Sequence, residues 1–299
     1  MRYIKVPATS ANLGSGLDTL GLALALFLDV TFEPGPIWSL EISGYGHDSL
    51  SKEPDNLIWQ TAEVFYHTIT GRSLPSGHLA ITSQIPVGKG LGSSAAAVVA
   101  GLLLANSLLP DPLSRHELLQ WATRLEGHAD NAAAALFGGF TLAWTDSESR
   151  VQVRRYHPPE LAIVLAVPPY SVSTRDARKL LPSMVSRHDA VFNAQRMALW
   201  LHGVTQRDWS VLREASADRL HQSYRAGVNP DMEHFLATAK KCGAYAAVLS
   251  GSGPAVMALV DVEQSARLRR EWADTEDVEV IVTKACSHAA KVLVAPSTL

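Results

Sequence analysis

Cysteine is nearly absent. The chain has 2 in 299 residues, Cys242 and Cys286, far apart and without CxxC spacing. Such a pair excludes a disulfide framework or a zinc knuckle, and both thiols are expected in or beside a core. Dense basic runs are also missing, and 26 Lys and Arg against 29 Asp and Glu leave a net charge of −3. That balance argues against a nucleic-acid surface. The apolar run from Ala95 to Ala105 is far shorter than the ~20 residues that span a bilayer, so no membrane partner is expected. The opening MRYIKVPATSANLG has no apolar h-region, so no signal peptide is expected either. There is no internal repeat and no low-complexity tract. What remains, 47% apolar and 18% charged residues, describes an ordinary globular protein, and a cytoplasmic enzyme fits it. At about 100–200 residues per domain, the length suggests two domains with adequate cores.

The chain is organised around Pro86-Val87-Gly88-Lys89-Gly90-Leu91-Gly92-Ser93-Ser94-Ala95-Ala96. His78 to Ile85 before it alternates apolar and polar side chains as a strand does. Ala95 to Ala105 after it is apolar on every face, which predicts a buried helix. Three glycines let a ligand approach the backbone without a Cβ in the way. Unpaired N–H groups and the positive dipole end at the helix start favour an anion. Ser93 and Ser94 add hydroxyls, one of which could ligate a metal ion. The stretch reads as a phosphate cradle. It is not a Walker A loop, because Gly88-Lys89 is followed by Gly90 and not by Ser or Thr. It is a poor dinucleotide fingerprint, because Asp111 lies in a Pro-Asp-Pro turn. The bland alternative is a glycine-rich connection with Ser as N-cap.

Along the chain, Arg2 to Val6 reads as a strand that runs into a polar loop from Pro7 to Asp18. Leu20–Phe32 and Trp38–Ile42 read as strands, and Asn56–Thr70 as a helix stopped by Gly71. Ser114-Arg115-His116-Glu117 is a capping box that opens a helix to Glu126. Asp130 or Asn131 could cap the small-residue helix to Phe137, and a strand follows over Phe140–Trp144. A fresh strand, Leu161–Val167, opens the second half. Helices are expected over Arg175–Leu181, His188–Leu201 and Trp209–Tyr224, and another starts with Asn229 as cap and Pro230 in its first turn. Strands Tyr245–Leu249 and Ala255–Val260 flank Ser250-Gly251-Ser252-Gly253-Pro254, with a helix and a last strand, Val278–Val282, beyond. The mixture indicates an α+β fold.

Three stretches, Val6 to Asp18, Pro86 to Ala96 and Ser250 to Pro254, occur in the order and spacing of one superfamily. The sequence resembles the galacto-, homoserine, mevalonate and phosphomevalonate (GHMP) kinases. Asp18 followed by Leu20-Gly21-Leu22-Ala23-Leu24 looks like the homoserine kinases in particular. So do Glu126-Gly127-His128-Ala129-Asp130-Asn131 with Leu136-Phe137-Gly138-Gly139, and Ser173-Thr174 with Arg178. The resemblance implies a ribosomal protein S5 domain 2-like N-terminal domain over 1–157 and a ferredoxin-like C-terminal domain over 158–299. It also implies transfer of the γ-phosphoryl of ATP to the hydroxyl of L-homoserine for threonine synthesis, and a homodimer. The rival readings are a kinase of threonine, pantoate or a mevalonate derivative, and a catalytically silent ligand-binding relative.

The resemblance also implies roles. Pro86 to Ala96 cradle the phosphates, Asn56 lies on the nucleotide side, and Ser94 and Glu126 hold Mg²⁺, a hard cation suited to few protein oxygens. Arg178 binds the substrate carboxylate, for which a planar guanidinium fork is suited, and Arg225 is a second candidate. The ammonium and hydroxyl face Asn12, Asp18, His128 and Asn131, with Thr174 nearby. Asp18 orients the substrate, and base catalysis stays open because a loose transition state makes early deprotonation less necessary. His128 reads equally well as a structural histidine, and Asn56 reads better as a helix cap. Leu17, where an aromatic is usual, and the alanines at 129 and 132–135 depart from the pattern without removing a charged group.

Overall fold

The computed structural model describes residues 1–294. The first half is a mixed sheet backed by helices. Its elements are β1 (Arg2–Ala11), β2 (Leu20–Pro34), β3 (Ser39–Gly44), α1 (Leu57–Thr70), β4 (Gly77–Ser83), α2 (Ser93–Asn106), α3 (Arg115–Glu126), α4 (Asp130–Phe137), β5 (Phe140–Thr145) and β6 (Val151–Tyr156). The second half runs β7 (Ala162–Val167), α5 (Thr174–Lys179), α6 (Arg187–Gln206), α7 (Leu212–Ala215), α8 (Gln222–Arg225), α9 (Met232–Lys241), β8 (Ala246–Leu249), β9 (Val256–Val260), α10 (Val262–Ala273), β10 (Glu279–Lys284) and β11 (Lys291–Val294).

Two sheets result. The first has the path β11-β1-β2-β4-β3, with β5 also on β2 and β6 on β5. The second has the order β10-β7-β9-β8, with every pair antiparallel. With α10 crossing from β9 to β10, this is the ferredoxin-like arrangement expected for the second half. The strands up to Tyr156 lie in the first sheet and β7 to β10 in the second, but β11 returns to pair with β1.

Helix α2 is central because it can bury every face. Its residues from Ala95 to Asn106 are buried apart from Ala97, and it packs on α1, α3, α4 and β1. Gly101 permits the α1 contact, since a Cβ there would stand 2.4 Å from the Ile58 carbonyl oxygen. The Ser114–Glu117 capping box forms, as the sequence predicts.

Four local expectations are corrected. The first strand does not end at Val6 but continues to Ala11, pairing Ala11 with Gly21 across a register shift at Pro7/Ala8. Thr9 and Ser10 look like loop residues, yet both are fully buried with their hydroxyls bonded. The span Trp209–Tyr224 is not one helix. The Asp218 carboxylate accepts the N–H groups of Leu220, His221 and Gln222 at 2.7–2.9 Å, and such local bonds compete with helix continuation. Asn229 does not cap the next helix, which starts at Met232 after Asp231. Its amide instead donates to the Arg225 carbonyl at 2.9 Å. Asp130 and Asn131 lie inside α4, whose cap is Ala129.

Candidate active site

One cleft gathers the three motif stretches. It is lined by Asn12 just after β1, by Gly88 to Ala95 apart from Leu91, by Glu126, His128, Asp130 and Asn131 from the α3–α4 junction, by Thr174 and Arg178 from α5, and by Arg225, Gly251 and Ser252. Residues 239 positions apart meet directly, because the Asn12 amide donates to the Gly251 carbonyl at 2.9 Å.

The glycine loop is shaped for an anion. Gly92 caps α2 with φ 72° and no side-chain cap bond, so the expected alternative of Ser as N-cap is not what forms. Ser93 and Ser94 are the first helical residues, and the helix's first N–H groups keep no capping side chain. The Ser94 hydroxyl donates to Glu126 Oε1 at 2.7 Å. These two oxygen-bearing side chains fit a cation that takes one or two protein oxygens plus phosphate and water. Lys89 lines the cleft with its ammonium already committed, donating to the Pro169 and Tyr170 carbonyls at 2.5 and 2.6 Å.

Across the cleft the charges pair. Arg178 donates both terminal nitrogens to Asp18, at 3.1 and 2.5 Å, and that hydrogen bond first of all raises the guanidinium pKa. Asp18 hangs on a turn in which Asn12, Leu13 and Asp18 all have positive φ. The Asn12 carboxamide oxygen holds this turn by accepting the Asp18 N–H at 3.0 Å. His128 Nδ1 lies 2.9 Å from Asp130. Burial opposes the charged imidazole, but the Asp130 hydrogen bond and charge outweigh it, and the pKa rises. Asn131 Oδ1 accepts from the Thr9 hydroxyl at 2.8 Å, which fixes the amide orientation and leaves the NH₂ free of that bond. Thr174 Oγ1 and Ser252 Oγ are 3.3 Å apart.

The chain matches the GHMP kinases N terminal domain over residues 56–139 and the GHMP kinases C terminal model over 200–277. It is 38% identical to the homoserine kinase of Desulfitobacterium hafniense, over 95% of this chain and 96% of that one. It is 40% identical to that of Moorella thermoacetica, over 86% and 87%. The crystal structure of homoserine kinase from Cytophaga hutchinsonii superposes with a TM-score of 0.82 at 27% identity, covering 98% and 97%. The chain belongs to the homoserine kinase family. The fold is accordingly the two-domain GHMP kinase fold, and the family's members are ATP-dependent kinases acting on a hydroxyl group.

Within that family assignment, not every candidate residue lines the cleft. Pro86, Val87, Leu91 and Ala96 support the loop without lining it. Asn56 lies elsewhere, buried as the cap of α1, accepting the Ile58 N–H at 3.1 Å and donating to the Ser51 carbonyl at 2.8 Å. Asp18 reaches the cleft through Arg178. Three groups went unrecognised in the sequence. Asp130 is 2% exposed and touches His128, but read alone it resembled a helix cap. Thr9 looked like a loop hydroxyl. His221 is fully buried behind Arg225, and only its spacing of four from Arg225 hinted at this.

His221 Nε2 lies 2.7 Å from the Gly14 carbonyl oxygen, to which it must donate, and Nδ1 faces Arg225 Nη1 at 3.1 Å. These partners require the neutral imidazole, and burial first of all holds its pKa below the usual range. The unfolded chain therefore takes up a proton below about pH 6.5 that the folded one refuses, and stability falls as pH drops through that window. Urea midpoints are expected to decline from pH 6.5 downward, with a slope from this group of at most about 1.4 kcal/mol per pH unit. His221→Gln should flatten that part of the curve; an unchanged slope would show that His221 does not carry it.

Proposed function

We propose that this chain transfers the γ-phosphoryl group of ATP to the side-chain hydroxyl of L-homoserine, giving O-phospho-L-homoserine for threonine synthesis. The observation that carries the reading is the single cleft in which an anion-shaped glycine loop faces two guanidinium groups and two carboxylates. The family relatives bearing that name supply the substrate. ATP phosphates would lie on the Gly88–Ser94 loop of the 1–157 half. Arg178 and Arg225 of the 158–299 half would receive the amino-acid carboxylate, and Asp18 the ammonium. Asn131, with Asn12, His128 and Thr174 around it, would orient the hydroxyl.

Ser94 and Glu126 would hold Mg²⁺. When bound, the cation neutralises phosphate charge that the chain's own residues leave uncompensated. Among the described residues no cluster of three or more His, Cys, Asp or Glu could hold a metal alone, which accords with a cation that shares its coordination with phosphate. Positioning carries the reaction, because a loose phosphoryl-transfer transition state asks little of a general base, and Asp18 is already engaged with Arg178. A homodimer, a cytoplasmic location and the absence of a nucleic-acid partner come with the same reading. Among the described residues no helix is long and apolar enough to cross a membrane.

The test is ADP release across a panel of small alcohols with Mg-ATP. L-Homoserine is expected to give the highest kcat/KM, with threonine, pantoate and mevalonate far behind. A higher value for any of these three overturns the homoserine reading, and no turnover with any alcohol favours a silent ligand-binding relative.

A further inference from the structure

Arg178 and Asp18 are 160 residues apart, yet they form a two-pronged ion pair across the cleft, using both terminal guanidinium nitrogens and both carboxylate oxygens. The pair is reachable from solvent, with side chains 35% and 43% exposed. It faces an unbalanced set of partners. Arg225 is 2% exposed and lines the same cleft, with its Nε lacking a hydrogen-bond partner. The buried Asp130 lies on the cleft wall too, committed to His128. A bidentate fork and a carboxylate that already saturate each other are poor hosts for a single charge. Whichever group the ligand takes, the other loses its partner and gains none.

We propose that the Asp18–Arg178 pair is an internal stand-in for the two charged ends of the substrate, and that binding is an exchange of ion partners. The ligand ammonium takes Asp18 while its carboxylate takes Arg178. A zwitterionic amino acid converts one ion pair into two without stranding a charge, whereas an amino alcohol frees Arg178 with nothing to receive it. Selectivity for amino acids therefore arises partly from a contact that exists before the ligand arrives. This rests on the homoserine reading above and adds to it how carboxylate-free alcohols are rejected.

The inference separates from simple contact formation because it predicts a gain. In direct binding measurements by calorimetry, Arg178→Met should weaken L-homoserine by about tenfold or more, as loss of a bidentate charged contact does. The same variant should bind 2-aminobutane-1,4-diol, which lacks the carboxylate, about fivefold tighter than the parent, because Asp18 is released. An affinity for the amino diol that is unchanged or weaker overturns the exchange. The parent alone gives a second measurement independent of the variant's folding. There the amino diol should bind no tighter than uncharged butane-1,4-diol, which can leave the ion pair intact; a clear advantage for the amine overturns the exchange as well. A parent that does not bind homoserine overturns the substrate reading and the exchange with it. A parent that binds homoserine but shows no gain in Arg178→Met overturns the exchange alone.

Discussion

Glu126→Gln is expected to leave the fold intact and to remove about 99% of turnover at limiting Mg²⁺, on the scale of the 10–100-fold losses that even a metal's outer partners cause. Glu126 ends α3, only partly buried, and among the described residues its one side-chain bond is the 2.7 Å hydrogen bond from Ser94. Glutamine can still accept that bond through its own Oε1, so local structure should survive. What disappears is the negative charge facing the start of α2, where a divalent cation and phosphates must be balanced together. The measurement is turnover against Mg²⁺ concentration. A curve displaced to higher Mg²⁺, with partial recovery at saturation and an unchanged melting temperature, supports the role. Parent-like turnover at limiting Mg²⁺ removes Glu126 from the metal site.

Gly92→Val is expected to abolish measurable ATP binding and to lower stability by about 3 kcal/mol, combining backbone strain with overpacking. Gly92 has φ 72°, which a β-branched residue rarely adopts. Its new Cβ would stand 2.0 Å from Thr9 Oγ1 and 3.2 Å from Asn131 Oδ1. Crowding of the phosphates, the obvious reason from sequence, is thus secondary. The side chain collides first with the buried hydroxyl that orients Asn131. Because the valine variant could unfold, Gly92→Ala serves beside it, keeping the Cβ collision with less bulk. Thermal melts and ATP titrations of both should show weakened nucleotide binding even where the fold persists. If Gly92→Ala stays folded and titrates with ATP as the parent does, the cradle lies elsewhere.

Much of the fold was legible because its signals are local. Asn56 and Gly71 bracket α1, Ser114 and Glu117 form their box, and α2 is buried because no face of it is polar. The glycine loop was legible for the same reason, since Gly88, Gly90 and Gly92 all take the positive φ that their lack of a Cβ permits. Motif order brought the candidate residues onto one list. It could not say how they would partner. β6 and β11 were missed because their short runs carry little pattern, and β11 earns its place only by pairing with β1. The segment after Trp209 broke where the Asp218 carboxylate offered nearby N–H groups another partner. That Asp18 meets Arg178, that Thr9 turns Asn131, and that Lys89 faces the Pro169 and Tyr170 carbonyls are contacts across 80 to 160 residues. The chain by itself determined which chemical groups the site would hold, because glycine conformation, capping and apolar periodicity act within a few residues. Only the tertiary structure decided which charge neutralises which, because that depends on distances set by two sheets and the turns between them.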